Sequence, residues 1–319
     1  MDRKRFARFT WAVLIANLGV IIWGAYVRAS GSGAGCGSHW PLCNGEIIPQ
    51  DPQIQTLVEF SHRLTSGLAL LSVVAMLIWA LRLYPKGHPV RLGAGLSMFF
   101  MITEALIGAG LVLFQYVATN VSIARAYWMA GHLTNTFLLL AVLTLTVWWA
   151  SGGGPLRWRG RGLLTWSFGL AGLGLLVLGA SGGVTALGDT LTLHAGISPL
   201  ESPIVAGLIE LRIYHPLLAL TVGALVALAA WAAHRSQPMV PVGSYASLLL
   251  ALYLAQLLAG ILNVYLRAPI WLQLFHLLLA DLIWITFILL AAAVFGAPVA
   301  VPGQERPAGR PAVELSANR

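Results

Sequence analysis

Residues 59–71 read Glu-Phe-Ser-His-Arg-Leu-Thr-Ser-Gly-Leu-Ala-Leu-Leu and set one histidine, His62, at the head of a long apolar run. The arrangement recurs with His132 in WMAGHLTNTFLLL (128–140), His215 in LRIYHPLLALTVG (211–223) and His276 in LQLFHLLLADLIW (272–284). Apolar runs of this length, without period-2 alternation, read as helices. An ionisable side chain inside such a helix is costly in an apolar medium and marks a functional path or site. Four of them stand at the same end of four helices, two in each half of the chain.

Composition says what medium surrounds these helices. Hydrophobic residues make up 58% of the 319-residue chain and charged residues 9%, against about 25% charged in a soluble domain. A helix needs roughly 20 apolar residues to cross the hydrocarbon. Such segments occur at about 9–27, 59–83, 94–116, 128–150, 162–184, 212–233, 244–266 and 270–295. The expected fold class is therefore an all-α polytopic membrane protein with eight transmembrane helices. The first segment, behind a basic MDRKRFAR start, is long enough to stay in the membrane rather than act as a cleaved leader.

The net charge of +8 does not point to nucleic acid, because of where the cations lie. With the N-terminus in the cytoplasm, Arg3, Lys4, Arg5, Arg8, Arg82, Lys86, Arg91, Arg157, Arg159, Arg161, Arg235, Arg306, Arg310 and Arg319 all fall inside. Arg28, Arg63, Arg125, Arg212 and Arg267 fall outside or at the outer interface. The positive-inside rule then predicts an integral inner-membrane protein with both termini cytoplasmic, in contact with lipid. Residues 301–319, polar and rich in Pro and Arg, are expected to be a disordered cytoplasmic tail.

The chain has two cysteines, Cys36 and Cys43, in a loop after the first span that this topology puts on the outer side. There a disulfide persists, and Gly37 and Pro41 let the six intervening residues fold back. The competing reading is zinc, which needs more ligands than two cysteines and His39. A disulfide here is either structural or redox-active.

The chain reads as two four-helix halves, 1–155 and 156–300. EFSHR (59–63) is matched by RIYHP (212–216), Glu104-Ala-Leu-Ile-Gly108 by Gln256-Leu-Leu-Ala-Gly260, and GAYVRASGSG (24–33) by GASGGVTALG (179–188). Each half has an even number of spans, so the halves point the same way, as two pseudo-symmetric bundles about an axis along the membrane normal.

A lone histidine in a helix is more often a hydrogen-bonded core residue than a ligand. As a set, His62 with His132 and His215 with His276 look like axial ligands of two haems gripped between facing helices. His39, His88, His194 and His234 fall in connections and read as solvated. Glu59 precedes His62 by three residues and shares its helix face. Desolvation there raises a carboxyl pKa and suits it to proton transfer; the alternative is a glutamate paired with Arg63. The matching position in the second half is Arg212, a cation suited to a haem propionate. Arg28, Arg125 and Arg267 are further propionate partners or interfacial anchors. Glu104 and Asp281 read either as proton-path residues or as buried hydrogen-bonding groups. Pro216, lacking an N–H, is expected in a first helical turn or at a kink.

These residues resemble the haem A synthase family. The resemblance rests on EFSHR, the GHLTNT histidine, the histidines of helices six and eight, and two cysteines enclosing Trp40-Pro41, and it covers about residues 8–295. It implies an eight-helix membrane oxidoreductase of two similar bundles that converts the C8 methyl of haem O to a formyl group, giving haem A for terminal oxidases. It further implies that His62 and His132 bind the substrate haem, that His215 and His276 ligate the iron of a haem b cofactor, that Glu59 is catalytic and that Cys36 and Cys43 form a disulfide. The implied partners are haem O synthase as haem donor and an electron donor or acceptor; a homo-oligomer stays open. Two departures stand out: the loop reads CGSHWPLC (36–43) where the family has something nearer C-P-D-W-P-x-C, and YHP (214–216) replaces His-Arg. Outside that family, a cytochrome b-type electron-transfer protein accounts for the histidines but not for the Glu59/Arg212 difference or the cysteine loop. A parallel-repeat transporter with histidine proton relays is the other alternative.

Overall fold

In hydrocarbon every backbone N–H and C=O must find its partner within the chain, which leaves an apolar segment of this length the helix. The computed structural model describes residues 2–158, 162–237 and 240–296. Among them are α1 (Asp2–Ala29), α2 (Ile54–Leu83), α3 (Pro89–Leu113), α4 (Ile123–Ala150), α5 (Gly162–Asp189), α6 (Pro203–Ser236), α7 (Val240–Tyr265) and α8 (Ile270–Phe295). Eight helices are long and apolar enough to cross a membrane, so the protein is an all-helical membrane protein, as the sequence reading expected. The expected tail, 301–319, lies outside the described residues, as do Arg159, Arg161, Arg306, Arg310 and Arg319.

The helices run beyond the expected spans at several ends, because counting apolar residues finds the hydrocarbon and not the cap. Ser122 Oγ accepts the Arg125 N–H and Ser202 Oγ the Val205 N–H, with Pro203 at the first helical position. His88 is not simply solvated. Its ring caps α3 by accepting the Val90 N–H at 3.2 Å and packs on Tyr84. Burial, and then Arg3, push its pKa below the usual histidine value, which keeps the accepting nitrogen free. Because α2 begins at Ile54 and α6 at Pro203, His62 and His215 sit more than two turns inside their helices. Pro216 accordingly lies in the interior of α6, not in its first turn. There it withdraws the N–H that would reach the Arg212 carbonyl.

α4 and α8 are central. Their spanning windows are 67% and 61% buried, against 28% or less for the other six. They pack on each other, and Trp284 Nε1 of α8 donates to the Phe137 carbonyl of α4 at 2.6 Å, with the two rings stacked. One continuous apolar core draws on helices of both halves. At the histidine end, Arg28 ties α1 across to the second half. Its guanidinium donates to the Ala186 carbonyl (2.9 Å), to Thr190 Oγ1 (2.6 Å) in the π-turn that follows α5, and to Gln273 Oε1 of α8 (3.1 Å). Hydrogen bonds from a charged donor contribute about 1.5–3 kcal/mol where they are desolvated. Arg28→Leu is therefore expected to destabilise the detergent-solubilised protein by about that much, read as a lower Tm. An unchanged Tm overturns the role given to this tie.

Candidate functional site

The four histidines come together in twos. His62 and His132 are carried by α2 and α4, and His215 and His276 by α6 and α8. All four rings are half-buried. Each rests against a glycine of the helix before its own. A Cβ added at Gly24 of α1 would stand 2.8 Å from Cε1 of His62, and one at Gly182 of α5 would stand 3.2 Å from Cε1 of His215. At Gly108 of α3 and Gly260 of α7 the corresponding distances to Cε1 of His132 and His276 are 3.9 and 3.3 Å. At Gly24, Gly182 and Gly260 an odd-numbered helix gives up a side chain where the imidazole of the next helix comes closest, whereas at Gly108 an added Cβ would make ordinary van der Waals contact. Sequence reading missed these glycines as a set. It matched Gly24 with Gly179, but a Cβ at Gly179 meets Phe137; the glycine against His215 is Gly182, three residues on.

The ring nitrogens differ in their company. Nδ1 of His215 lies 2.8 Å from Ser181 Oγ, whose hydroxyl donates to the Leu178 carbonyl. His215 Nδ1–H therefore donates to Oγ, leaving the Nε2 lone pair free. The Gln256 amide lies 3.2 Å from Nε2 of His276, and Glu104 Oε1 lies 3.4 Å from Nδ1 of His132. Nδ1 of His62, His132 and His276 is buried without a hydrogen bond among the described residues. Such orphaned nitrogens are unusual in a finished core. Among the described residues no three His, Cys, Asp or Glu side chains converge on one point. A metal held here would have to bring most of its own donors, as an iron in a porphyrin does when it takes two axial imidazoles.

Glu59 is buried near the N-terminal end of α2, 3% exposed. Oε1 is gripped by Arg63 Nε and Nη2, and Oε2 accepts the Cys36 N–H at 2.8 Å. The pairing with Arg63 is thus formed. Arg63 Nη1 goes on to the carbonyls of His39 (2.6 Å) and Leu42 (2.7 Å). Cys36 and Cys43 are bonded to each other and buried, which removes both sulfurs from any zinc site. The loop and the first turns of α2 form one clamped unit around the Glu59–Arg63 pair.

The outer arginines are placed as follows. Arg28 is committed to the cross-tie, and buried Arg125 donates to the carbonyls of Ala118 and Asn120. Arg212 pairs with Asp189. Arg267 is exposed and makes no side-chain hydrogen bond or ion pair among the described residues. Glu104 is hydrogen-bonded to α4, whereas Asp281 is fully buried in α8 with neither carboxyl oxygen bonded.

Fold and site together define a class: an eight-helix membrane protein with histidines in twos at one end and a buried loop disulfide beside one pair. The family model described as cytochrome oxidase assembly protein matches residues 7–288, and a protein of Geobacillus kaustophilus named haem A synthase is 30% identical over 84% of each chain. The chain belongs to this family, that of haem A synthase. A haem A synthase of Shouchella clausii is 45% identical over 104 residues, 32% of this chain and 35% of that one. A protein of Thermus thermophilus named protoheme IX farnesyltransferase is 54% identical over 294 residues, 91% of this chain. The chain spans about half, 48%, of that relative's length.

The short loop closed by the disulfide limits what the bond adds to stability. With a sequence separation of 7, chain entropy gives about 2–3 kcal/mol. Replacing Cys36 and Cys43 together by serine is expected to leave helix content intact by circular dichroism and to lower Tm modestly. Collapse of the helical signal overturns this, and thiol labelling of unreduced wild-type protein checks the bond itself.

Proposed function

We propose that this chain carries out the haem A synthase reaction, oxidising the C8 methyl of a bound haem O to a formyl group and so giving haem A for terminal oxidases. The N-terminal half, 1–155, holds the substrate haem O through His62 and His132. The C-terminal half, 156–300, holds a resident haem b through His215 and His276. The observation that carries this reading is the repeated seat: four imidazoles, each against a glycine of the preceding helix. The relatives named haem A synthase support the reaction class.

The conversion of methyl to formyl adds one oxygen atom; with water as its source, –CH3 + H2O gives –CHO with release of four electrons and four protons. A haem b bound by His215 and His276 supplies a one-electron carrier for it, and the electrons leave to an acceptor outside this chain. The residues of the chain do the rest. His62 and His132 hold the substrate from two helices, so that its periphery is fixed relative to α2. Glu59, one turn before His62 on that helix, takes up a proton released at the methyl group. Arg63 and the Cys36 N–H fix where that carboxylate points. The orientation that goes with this site has both termini in the cytoplasm and the disulfide loop on the outer side. The name of the Thermus thermophilus relative, of which this chain matches about half, supports a haem-farnesylating enzyme, the haem O synthase, as the donor of the substrate.

Two experiments test the reading. The purified protein is expected to be red, with a haem b signature in the pyridine haemochrome spectrum. His215→Ala or His276→Ala is expected to remove or shift its Soret and α bands, and spectra unchanged in both variants overturn the C-terminal assignment. A positioned acid–base group contributes about 10²–10⁴-fold to rate. Glu59→Gln, which keeps an acceptor for the Cys36 N–H, is therefore expected to cut haem A yield by about 10²-fold or more while the C-terminal haem is retained. The measurement is mass spectrometry of haem extracts after co-expression with a haem O source; wild-type yield overturns the proton-transfer role.

A further inference from the structure

Glu104 and Gln256 hold matching stations, each four residues before the glycine on which a histidine rests. Each also faces a ring nitrogen of that same histidine, though not the same one: Glu104 lies at Nδ1 of His132 and the Gln256 amide at Nε2 of His276. What surrounds them is not matched. Asn135 Nδ2 donates to Glu104 Oε2 at 2.6 Å, and Thr136 Oγ1 donates to Oε1 at 2.5 Å. Asn135 is itself fixed by Thr103 Oγ1 (2.7 Å) and the Phe100 carbonyl (3.0 Å). Asn135 and Thr136 follow His132 by three and four residues, so ligand and supports project from adjacent turns of one helix face. The corresponding residues after His276 are Leu279 and Ala280, which cannot hold a carboxylate. Of the groups facing the four imidazoles, Ser181 and Gln256 are neutral, His62 Nδ1 has no partner, and Glu104 alone among the described residues is a carboxylate.

Resting on the two-haem reading above, we propose that Glu104 is the positioning residue of the N-terminal haem site. Its carboxylate accepts the Nδ1–H of His132, which fixes the ring and leaves Nε2 for iron. The 3.4 Å separation exceeds a hydrogen bond of about 2.9 Å by a few tenths of an ångström, within reach of a small rotation of the ring on its glycine seat. An anionic acceptor makes the imidazole a stronger donor to iron, and such outer partners tune potential and affinity. Glu104 therefore holds the N-terminal iron at a lower reduction potential than the C-terminal one, whose histidines face an amide and a hydroxyl.

The test is a spectroelectrochemical titration of the purified full chain loaded with protohaem IX. Wild-type protein is expected to show two midpoints. In Glu104→Gln the lower midpoint rises and the upper stays, and protohaem affinity at that site falls by roughly 10–100-fold. Glu104→Asp restores part of the shift. A purely structural role lowers haem content without moving the midpoint of the haem that remains. If Glu104→Gln loses that haem altogether, Asn135→Ala, which removes one donor from the Glu104 carboxylate and keeps the carboxylate itself, decides: the proposal requires the lower midpoint to fall, and an unmoved midpoint overturns it. Two midpoints that both ignore Glu104→Gln overturn the proposal and leave the two-haem reading standing. Wild-type protein that takes up no protohaem overturns that reading itself.

Discussion

The contact between an imidazole edge and a bare glycine backbone is the constraint on which the histidine end of this protein depends. Helices of a membrane bundle approach most closely where small residues line the contact. A histidine in that contact needs more room than a packed methyl group leaves. At Gly24 the room is smallest, and a Cβ there would meet the His62 ring inside van der Waals distance. Removing the neighbour's side chain lets the ring edge approach the helix while the helices stay in contact. The odd-numbered helices can then be read as seats and the even-numbered ones as ligand carriers, which explains why neighbouring helices pair α1 with α2, α3 with α4, α5 with α6 and α7 with α8.

Common seats leave the differences to the groups around them. At the outer end the first half has the Glu59–Arg63 pair, which holds the disulfide loop down on α2. The matching position in the second half, Arg212, turns to Asp189 of α5. Behind the α4 and α8 histidines stand a cradled carboxylate in one half and an amide with apolar neighbours in the other. Such changes alter proton affinity and ligand strength while the helix packing below is kept. Arg28, which sequence alone read as a propionate partner or an interfacial anchor, bridges the halves through Ala186, Thr190 and Gln273.

Most of the fold was legible because hydrophobic length is a strong signal, and the ligand candidates were legible because histidine is conspicuous in an apolar helix. Helix ends were less legible: the start of α6 depends on Ser202 and Pro203, outside the apolar run, and this moved Pro216 from an expected first turn into the interior. The glycine seats were written in the sequence, but Gly is frequent (34 residues), so only the contact picks out four of them. The Glu104…Gly108 and Gln256…Gly260 spacing was visible as a repeat. Its meaning was not, since both ends of the motif act on a histidine in another helix. Arg28 could not be read at all, because its partners lie more than 150 residues away in the chain.

Glu59 joins loop, helix and site in one hydrogen-bonded unit, and that bears on how its chemistry is read. A guanidinium and an amide N–H fix where its two oxygens point. The sequence reading weighed burial; the structure adds the two donors, and both come from residues whose position depends on the Cys36–Cys43 loop. Opening that loop frees the Cys36 N–H and the carbonyls that anchor Arg63, and so alters the carboxylate one turn from His62 without touching a ligand. The disulfide loop is thus coupled to Glu59 by hydrogen bonds, a link that the small loop-closure term it adds to global stability does not measure.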